Sequence, residues 1–411
     1  MFEKKADFSR RDFLKTAGAV GLGSMIAPIE NIAHARGLYA ANESPQNIVP
    51  TRPFGKTGVE VSILGLGLAF YGLTNLFFKQ ALKMGVTYWD TAYNYYQSEE
   101  AIGKYFSKFP EDRKKVFLVT KAETTATNRL SSYLEGSLET MKTDYIDLYL
   151  IHAVSNVKRA LDQDVKKWAE RAKAEGKIRF FGFSIHKNME KGLAEASKLG
   201  WIDGILTTYN YRWMNTDSMK RAVDDCVKAG IGLTAMKTQA KRLGGYGEVG
   251  EENATNVKIA EKFVEKGFTP EQAKLRAVWE NPNIACICSH MTNMTILQTN
   301  VAAASSKTKL SFQDRQLLEE YARETASHYC AGCSHNCEPT LNNEVPISNV
   351  MRYLMYSRCY GEPERAKSAF KRLPSKIRKS ITDIDYRKAE LKCPQGMQIG
   401  QLMREAASEL V

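Results

Sequence analysis

The chain contains no apolar run as long as the roughly 18–20 residues that a membrane span needs, so we expect no stable membrane span. It contains no motif of nucleic-acid recognition either, and its net charge of +12 therefore indicates a solvated basic surface and no nucleic-acid partner. A hydrophobic fraction of 43% and a charged fraction of 25% are ordinary for a globular protein. The 411 residues are enough for one large domain and an appendage.

A phosphate-binding glycine loop is also absent. Gly65-Leu66-Gly67 does not continue into G-x-G-x-x-G, which an open doubly wound sheet would need after its first strand. Strand-like apolar runs instead alternate with helical patterns, which predicts parallel strands joined by helices. Eight such units in about 250 residues predict an α/β fold, a (β/α)8 TIM barrel with a small α-helical C-terminal extension. The predicted strands are Ser62–Gly67, Thr87–Asp90, Val116–Lys121, Tyr145–His152, Ile178–Ser184, Gly204–Tyr209, Gly232–Lys237 and Ile284–Ser289.

The N-terminus has the order of an export signal. The pair Arg10-Arg11 precedes Phe13-Leu14-Lys15, a short apolar stretch and the small-residue site Ala33-His34-Ala35. Paired arginines in this context predict the twin-arginine route, which carries folded proteins, so we expect an exported or periplasmic protein with a cofactor inserted before export. The predicted divisions are a signal over 1–35, a linker over 36–50, a barrel over 51–326 and a cysteine-containing segment over 327–411.

Titratable side chains stand at the predicted ends of three successive strands. Asp90, Lys121 and His152 end strands two, three and four, and Tyr95 follows in the loop after strand two. Such ends meet at one face of a (β/α)8 barrel, where the chemistry takes place. A buried Lys121 ammonium beside the phenol would lower the Tyr95 pKa from about 10, and Asp90 would keep Lys121 charged. The set predicts a general-acid site for carbonyl reduction, with His152 donating to the substrate oxygen.

At these residues the chain resembles the aldo-keto reductase family, over roughly Thr51 to Ser305. Asp90-Thr91-Ala92-Tyr93-Asn94-Tyr95 matches the family's Asp-Thr-Ala-x-x-Tyr, and Lys121 and His152 stand at its other two catalytic positions. The resemblance implies that the substrate is a small carbonyl compound, an aldehyde or a ketone. It also implies that NADPH transfers the hydride and that the tyrosine supplies the proton.

The cofactor side of the resemblance is weaker. Ile185 and Leu206 replace two amide residues that hold the nicotinamide in the family, and we expect this to weaken binding by about 2–4 kcal/mol. A periplasmic enzyme also has no free NADPH pool, so either the cofactor travels with the protein, or the hydride site is vestigial, or the barrel passes electrons elsewhere. The resemblance implies cofactor contacts from Ser184, Tyr209, Asn210, Ser289, Thr292 and Asn300.

Cysteines are sparse, and they gather in the C-terminal segment. Cys330, Cys333 and Cys337 form C-x2-C-x3-C, and Cys393-Pro394 follows far downstream. The pattern resembles a reduced two-cluster ferredoxin module of the kind attached to some aldo-keto reductases, and it implies one [4Fe–4S] cluster held by these four cysteines. Disulfides, an empty site, or zinc with nearby histidines as substitute ligands are the alternatives. The remaining cysteines are expected to be small buried apolar residues: Cys226, Cys286, Cys288 and Cys359.

Two hypotheses about function follow. The first is an exported carbonyl reductase with an additional [4Fe–4S] electron-transfer site. The second is a non-catalytic or NADPH-independent electron-transfer or interaction protein on the same barrel, favoured by Ile185, Leu206 and the compartment. The basic run from Arg352 to Lys392 is interpreted as a solvated surface, as a counter-charge to the cluster, or as a docking site for an acidic redox partner protein.

Overall fold

The computed structural model describes residues 48–95, 97–243, 262, 263, 265 and 268–411. The predicted signal and most of the predicted linker lie outside these residues. Asn47–Val411 forms one compact unit, so the predicted boundary at residue 327 falls inside a single packed body. Val49, near the end of the predicted linker, is buried, and its N–H donates to the Met84 carbonyl at 2.9 Å. None of the described helices is long and apolar enough to cross a membrane.

Eight parallel strands close into a barrel, which confirms the predicted fold class. Most of the strands are short apolar or β-branched runs, and several are buried on both faces, as parallel strands with helical crossovers require. The sheet closes because the last strand pairs with both the first and the seventh. The strands are β3 Leu64–Gly67, β4 Tyr88–Asp90, β5 Phe117–Ala122, β6 Ile146–Val154, β7 Ile178–Ile185, β8 Gly204–Thr208, β9 Gly232–Met236 and β10 Cys286–Ser289.

A hairpin plugs the end of the barrel where the strands begin. Its strands, β1 Thr51–Pro53 and β2 Glu60–Ser62, pair in antiparallel fashion, and Phe54 between them is fully buried. The Phe54 ring lies against Gly204 and Gly232, where a Cβ atom would come within 2.8 Å and 2.6 Å of it. The two glycines thus make room for the ring at the start of their strands. The opposite end, where the strands finish, is left for the site and is called the mouth below.

Helices cover the outside of the barrel, and several begin with the capping residue that their sequence predicts. Thr216 accepts a hydrogen bond from the Met219 N–H, and Thr269 forms a capping box with Gln272. The described helices up to the end of the barrel are α1 Asn75–Lys83, α2 Ser98–Lys108, α3 Thr127–Met141, α4 Val157–Ala160, α5 Gln163–Ala174, α6 Met189–Ala196, α7 Asp217–Lys228, α8 Pro270–Trp279 and α9 Met294–Ser305.

The C-terminal segment is helical and has a hydrophobic core of its own. Val350, Leu354, Phe370 and Met403 are buried in this core, apart from the core between the barrel and its helices. Arg358 fastens two of its helices, because its guanidinium pairs with carboxylates of the last helix at 2.8 Å. Helix α10 Phe312–Glu324 precedes the segment. The helices of the segment are α11 Ser334–Cys337, α12 Ile347–Tyr360, α13 Pro363–Lys371, α14 Ser375–Ser380, α15 Arg387–Leu391 and α16 Ile399–Glu409.

Candidate active site

A buried ion pair joins the ends of β4 and β5. The Lys121 Nζ lies 2.9 Å from each carboxylate oxygen of Asp90 and donates to the Thr91 carbonyl at 2.5 Å. Both side chains are almost completely shielded from solvent. The strand register places Asp90 beside Val119 on β5, two residues before Lys121, so the pairing of two parallel strands positions the carboxylate against the ammonium.

Tyr95 and His152 complete the group that the sequence analysis singled out. The Tyr95 hydroxyl lies 3.3 Å from His152 Nε2, and the Lys121 Nζ lies 4.8 Å from the centroid of the tyrosine ring. His152 Nδ1 faces Glu123, whose nearest carboxylate oxygen is 3.7 Å away. The structure therefore brings all four predicted catalytic side chains together at the mouth.

Burial governs the protonation of this group. Burial by itself lowers the pKa of Lys121, but Asp90 raises it, and the net pKa lies above the ordinary value. Burial raises the pKa of Tyr95, and the lowering effects of Lys121 and Arg365 only partly oppose it. Burial, Lys121 and Arg365 together lower the pKa of His152 well below its usual value, so the imidazole is neutral at neutral pH. The expectation of a net lowering of the phenol pKa was wrong, because desolvation outweighs the nearby charge.

Two helices of the C-terminal segment, α12 and α13, form part of the mouth. The guanidinium carbon of Arg365 lies 4.3 Å from the ring centroid of Tyr356 and 5.6 Å from that of Tyr95. A cavity of about 500 Å³, here called the mouth cavity, remains between barrel and helices and is within the usual range for ligand pockets. Among the residues that line it are Tyr95, Glu123, His152, His186, Arg352, Tyr356, Glu364, Arg365 and Arg372.

The arginines of the mouth cavity are site residues that the sequence analysis missed. They belong to the basic run from Arg352 to Lys392, which was interpreted as a solvated surface or as a partner of the cluster. The surplus of basic residues was the available signal. It did not identify the arginines, because their approach to the barrel depends on how α12 and α13 pack against it.

The predicted cofactor contacts fall in different places. Ser184 is the next-to-last residue of β7, and its Oγ accepts a hydrogen bond from the Ala153 N–H at 2.8 Å, beside the mouth cavity. The Tyr209 hydroxyl instead accepts from Asn281 at 2.8 Å, next to the end of α8. The Asn210 amide nitrogen donates to the Tyr329 hydroxyl at 2.9 Å. The polar groups of Tyr209 and Asn210 therefore have partners other than those of Ser184.

The three contacts predicted after the eighth strand do lie near one another. Asn300 on α9 donates from Nδ2 to the Ser289 Oγ at 3.1 Å, at the end of β10. Thr292 lies in the exposed loop between these elements. The end of β10 therefore presents a small polar surface, and its role in cofactor binding stays a prediction.

The mouth offers polar groups to a nicotinamide dinucleotide, but not the two amides that hold it in the family. Leu206 packs in the barrel interior and Ile185 in the layer outside it, so neither position offers the amide that the family uses. Buried polar atoms at the mouth nevertheless have no hydrogen-bond partner in the described part of the chain: Thr208 Oγ1, His186 Nδ1 and His290 Nε2. Such orphaned atoms fit a polar ligand. The residues thus fit the cofactor through groups other than the two amides.

The four cysteines predicted to bind iron line one cavity, with apolar walls that include Ile347 and Met397. Burial, together with the other three thiols, raises the pKa of Cys330 to about 12, and burial raises that of Cys337 to about 12. All eight cysteines lie in the described residues and all are free, so the disulfide alternative is not realised. Among the described residues, no group of three or more His, Cys, Asp or Glu side chains could hold a metal ion as arranged.

The first three of these cysteines belong to residues 329–337, called the cysteine loop below, which end in the short helix α11 and contact the barrel directly. The Gly332 carbonyl accepts the Asn188 N–H at 2.9 Å, and the Asn188 side chain donates to Ser334 Oγ at 2.9 Å and accepts from the His335 N–H at 3.1 Å. Gly332 has a φ of +75°, and a Cβ there would lie 2.6 Å from the His186 carbonyl oxygen. Only glycine permits this approach of the cysteine loop to the end of β7.

Comparisons with known proteins agree with this geometry. Residues 74–336 match the model of the aldo/keto reductase family, and residues 7–27 match the signal sequence of the twin-arginine translocation pathway. An uncharacterized oxidoreductase of Bacillus subtilis, YqkF, is 25% identical over 309 residues, which are 67% of this chain and 95% of that protein.

Solved structures show the same fold. The holo form of the aldo-keto reductase AKR11C1 from Bacillus halodurans superimposes with a TM-score of 0.54 and 21% identity, over 66% of this chain and 96% of that one. The thermostable aldo-keto reductase Tm1743, in complex with the inhibitor epalrestat, gives a TM-score of 0.52 at 26% identity, over 66% and 99% of the two chains.

These matches decide the class of protein. The predicted twin-arginine signal is confirmed, which supports export by that pathway. The chain is an oxidoreductase enzyme, and family membership supports NADP(H) as a cofactor, because members of the family generally use it. The family model covers well over half of the sequence, from the first barrel helix to the cysteine loop. The chain belongs to the aldo/keto reductase family.

Proposed function

We propose that the enzyme reduces an aldehyde or ketone to the alcohol, with Tyr95 as the proton donor. The observation that carries the proposal is the set of contacts around the phenol, with His152 Nε2 3.3 Å from the hydroxyl and the Lys121 Nζ 4.8 Å from the ring. A cavity of about 500 Å³ opens directly beside these groups and can hold a small substrate.

Each residue has one task in this proposal. Tyr95 stays protonated at neutral pH, because burial keeps its pKa high, and it donates its proton to the carbonyl oxygen as negative charge develops there. Lys121 and Arg365 stabilise the phenolate that remains. Neutral His152 directs the oxygen toward the phenol by a hydrogen bond, and Asp90 holds Lys121 in place.

NADP(H), when bound, supplies the hydride that the carbonyl carbon takes up. Ser184, Ser289, Thr292 and Asn300 are the residues that would hold it. The polar surface at the end of β10 and the orphaned His290 Nε2 next to it support this assignment, as does membership of the family.

The test is alcohol formation from a panel of aldehydes and ketones, with NADPH as reductant and with protein purified after export. The expected result is one alcohol for each NADPH consumed, and a rate about 10²–10⁴-fold lower in Tyr95→Phe. Tyr133→Phe makes the same chemical change on α3, outside the mouth cavity, and should keep the wild-type rate. Equal rates in both variants would contradict the proposal.

We further propose that Cys330, Cys333, Cys337 and Cys393 hold one [4Fe–4S] cluster, which supplies one-electron transfer when bound. The convergence of four thiols on one cavity supports this. The surrounding basic residues favour the negative charge of a thiolate-ligated cluster.

Iron and sulfide analysis of the exported protein tests the cluster. Wild type should contain both elements, and Cys393→Ser should lose them. Cys359→Ser is the matched control, because Cys359 is a free thiol of the same segment that does not line the cysteine cavity and whose Sγ lies 2.8 Å from the Arg242 carbonyl oxygen. Absence of iron from wild type, zinc in its place, or equal iron in the two variants would each contradict the proposal.

One observation favours a second candidate, in which electrons reach the barrel through the cluster and without NADPH. The cysteine loop contacts His186 at the end of β7, and His186 lines the mouth cavity together with His152. The two imidazole ring centroids are 6.4 Å apart. In this case a redox partner protein delivers the electrons. Carbonyl reduction with a one-electron donor such as reduced methyl viologen, but not with NADPH, would support this candidate over the first.

A further inference from the structure

The mouth cavity has a charge pattern that points to the kind of substrate it takes. Building on the proposed carbonyl reduction, we infer that the substrate carries an oxyanion group, a carboxylate or a phosphate, which Arg352 and Arg372 bind inside the cavity. The carbonyl to be reduced then lies against Tyr95 and His152, a short distance from the charged group.

Arg352 on α12 is the main reason for this assignment. Its side chain is half-buried, its Nε is buried without a hydrogen-bond partner, and within the described residues no carboxylate forms an ion pair with it. It lines the mouth cavity and also the smaller cavity between the barrel and the cysteine loop. A cation that is partly desolvated and unpaired costs free energy, and a bound anion removes that cost.

The other arginines of the cavity divide into two kinds. Arg365 is already engaged, because it pairs with Glu362 at 2.8 Å and lies over the Tyr356 ring. Arg372, just after α13, is exposed and has no carboxylate partner among the described residues. Arg352 in the wall and Arg372 at the edge are therefore the two guanidinium groups available to an incoming oxyanion, which such groups bind in a bidentate manner.

Acidic residues of the cavity do not cancel this charge in its interior. Glu123 and Glu364 also line the cavity, but both are exposed, the Glu123 side chain to 50%. Deeper in, the cations Lys121, Arg365 and Arg352 lower the pKa of His152, and the carboxylate that faces this imidazole, that of Glu123, is half exposed. The interior of the cavity is therefore electropositive and its edge is mixed, an arrangement that attracts an anion inward.

The position of the arginines separates this site from the predicted cofactor site. The barrel residues of the mouth cavity come from the ends of β4 to β7, whereas Ser289 and Asn300 lie at β10 and α9. The guanidinium groups thus lie on the side of Tyr95, across the mouth from the predicted nucleotide contacts Ser289 and Asn300, whereas the predicted contact Ser184 lies beside the cavity.

Binding of three small probes to the exported full-length protein tests the inference without any turnover. Oxamate carries a carboxylate, inorganic phosphate carries the other oxyanion, and lactamide is neutral. By calorimetric titration at low ionic strength, one or both anions should bind and lactamide should not. Arg352→Met should weaken anion binding by about tenfold or more, because a hydrogen-bonded charged partner is lost. The anion that binds more tightly identifies the group as carboxylate or phosphate.

Further variants keep the outcome interpretable. Arg372→Met changes an exposed residue and should also weaken binding, so it serves if Arg352→Met does not fold. Arg404→Met removes an exposed arginine of α16 outside the cavity and should leave the Kd unchanged. The inference is overturned if neither anion binds more tightly than lactamide, or if all three variants bind alike.

The same experiment distinguishes this inference from the proposed carbonyl reduction. Tyr95→Phe should keep anion binding within about twofold and lose the reductase activity. If Tyr95→Phe keeps both, the anion site stands and the reduction proposal fails. If Tyr95→Phe loses activity but Arg352→Met keeps full anion affinity, the reduction proposal stands and the anion site fails.

Discussion

The C-terminal segment covers the two halves of the barrel mouth to different extents. Over the ends of β4 to β7, α12 and α13 leave a cavity of about 500 Å³ beside Tyr95 and contribute arginines to its wall. Over the ends of β8 and β9, the cysteine loop comes down directly, and the cavity beside Thr208 and Lys237 measures about 30 Å³, room for little more than one or two water molecules. One appended segment thus shapes an open half and a covered half.

The difference shows how a segment outside the barrel can determine what the barrel does. On the open half it buries the phenol, raises its pKa and adds positive charge, while the ion pair beneath comes from the strands alone. On the covered half, Tyr329, Cys330 and Ala331 of the segment lie where solvent would otherwise be. Burial there lowers the pKa of Lys237 well below the usual value. The predictions below test either the site on the open half or the contact between the cysteine loop and the barrel.

The largest effect is expected from the ion pair of the open half. Lys121→Met leaves the Asp90 carboxylate buried without a cation, so the free energy of unfolding should fall by about 3–5 kcal/mol and carbonyl reduction should be lost. Denaturant titration and alcohol formation measure the two effects. In the double variant Asp90→Asn/Lys121→Met, most of the stability should return without the activity. A single variant as stable as wild type would show that the pair is not buried as described.

A smaller effect is expected where the cysteine loop joins the barrel. Asn188→Ala removes the side-chain hydrogen bonds to Ser334 and His335, so local opening of the loop should become easier by about 1–3 kcal/mol. Hydrogen exchange of the amides in residues 329–337 measures this. Asn215→Ala, which removes one exposed hydrogen bond to Glu319, is the control and should leave their exchange unchanged. Equal protection in the two variants would mean that Asn188 does not fasten the loop.

The acid side of the pH profile should be flat. Burial, Lys121 and Arg365 lower the pKa of His152 well below its ordinary value of about 6.5, so the imidazole does not gain a proton as the pH falls from 8 to about 6.5. The rate of carbonyl reduction should therefore hold constant over that range and decline only at lower pH. A decline centred near pH 6.5 would indicate a solvated His152, and hence a mouth that α12 and α13 do not cover.

The smallest effect is expected from Glu123, which faces His152 from the edge of the mouth cavity. Its carboxylate oxygen is 3.7 Å from Nδ1 and its side chain is half exposed, so solvent screens the interaction. Glu123→Gln should change kcat/KM by no more than about twofold. A tenfold loss would assign Glu123 to the catalytic group. It would also mean that the electropositive interior of the cavity is smaller than we describe.

The sequence predicted the parts of the site that follow from strand order. Asp90, Lys121 and His152 could be placed together because each ends a strand, and adjacent parallel strands bring their ends to one face. The bounds of the strands agreed with the prediction to within two residues, because apolar runs between turn signals define them. The four cysteines were grouped by spacing, and the structure places them on one cavity.

The remaining parts depend on tertiary packing that spacing does not encode. Arg352 and Arg365 lie over two hundred residues after Tyr95, and only the docking of two helices brings them to it. The same docking desolvates the Tyr95 phenol, and its pKa is therefore raised. The prediction from the sequence was a lowered pKa, because it considered only the ammonium of Lys121. Tyr209 was predicted to end the sixth strand and to contact the cofactor, but its hydroxyl accepts a hydrogen bond from Asn281.

The central claim is that the C-terminal helices close over a protonated Tyr95. The most direct test is the pKa of that phenol, measured as the difference in tyrosinate absorbance between wild type and Tyr95→Phe during an alkaline titration. Burial beneath α12 and α13 predicts that this phenol ionises above the ordinary tyrosine value of about 10. Ionisation at or below that value would contradict the account, because it would place Tyr95 in solvent or under the control of Lys121 alone.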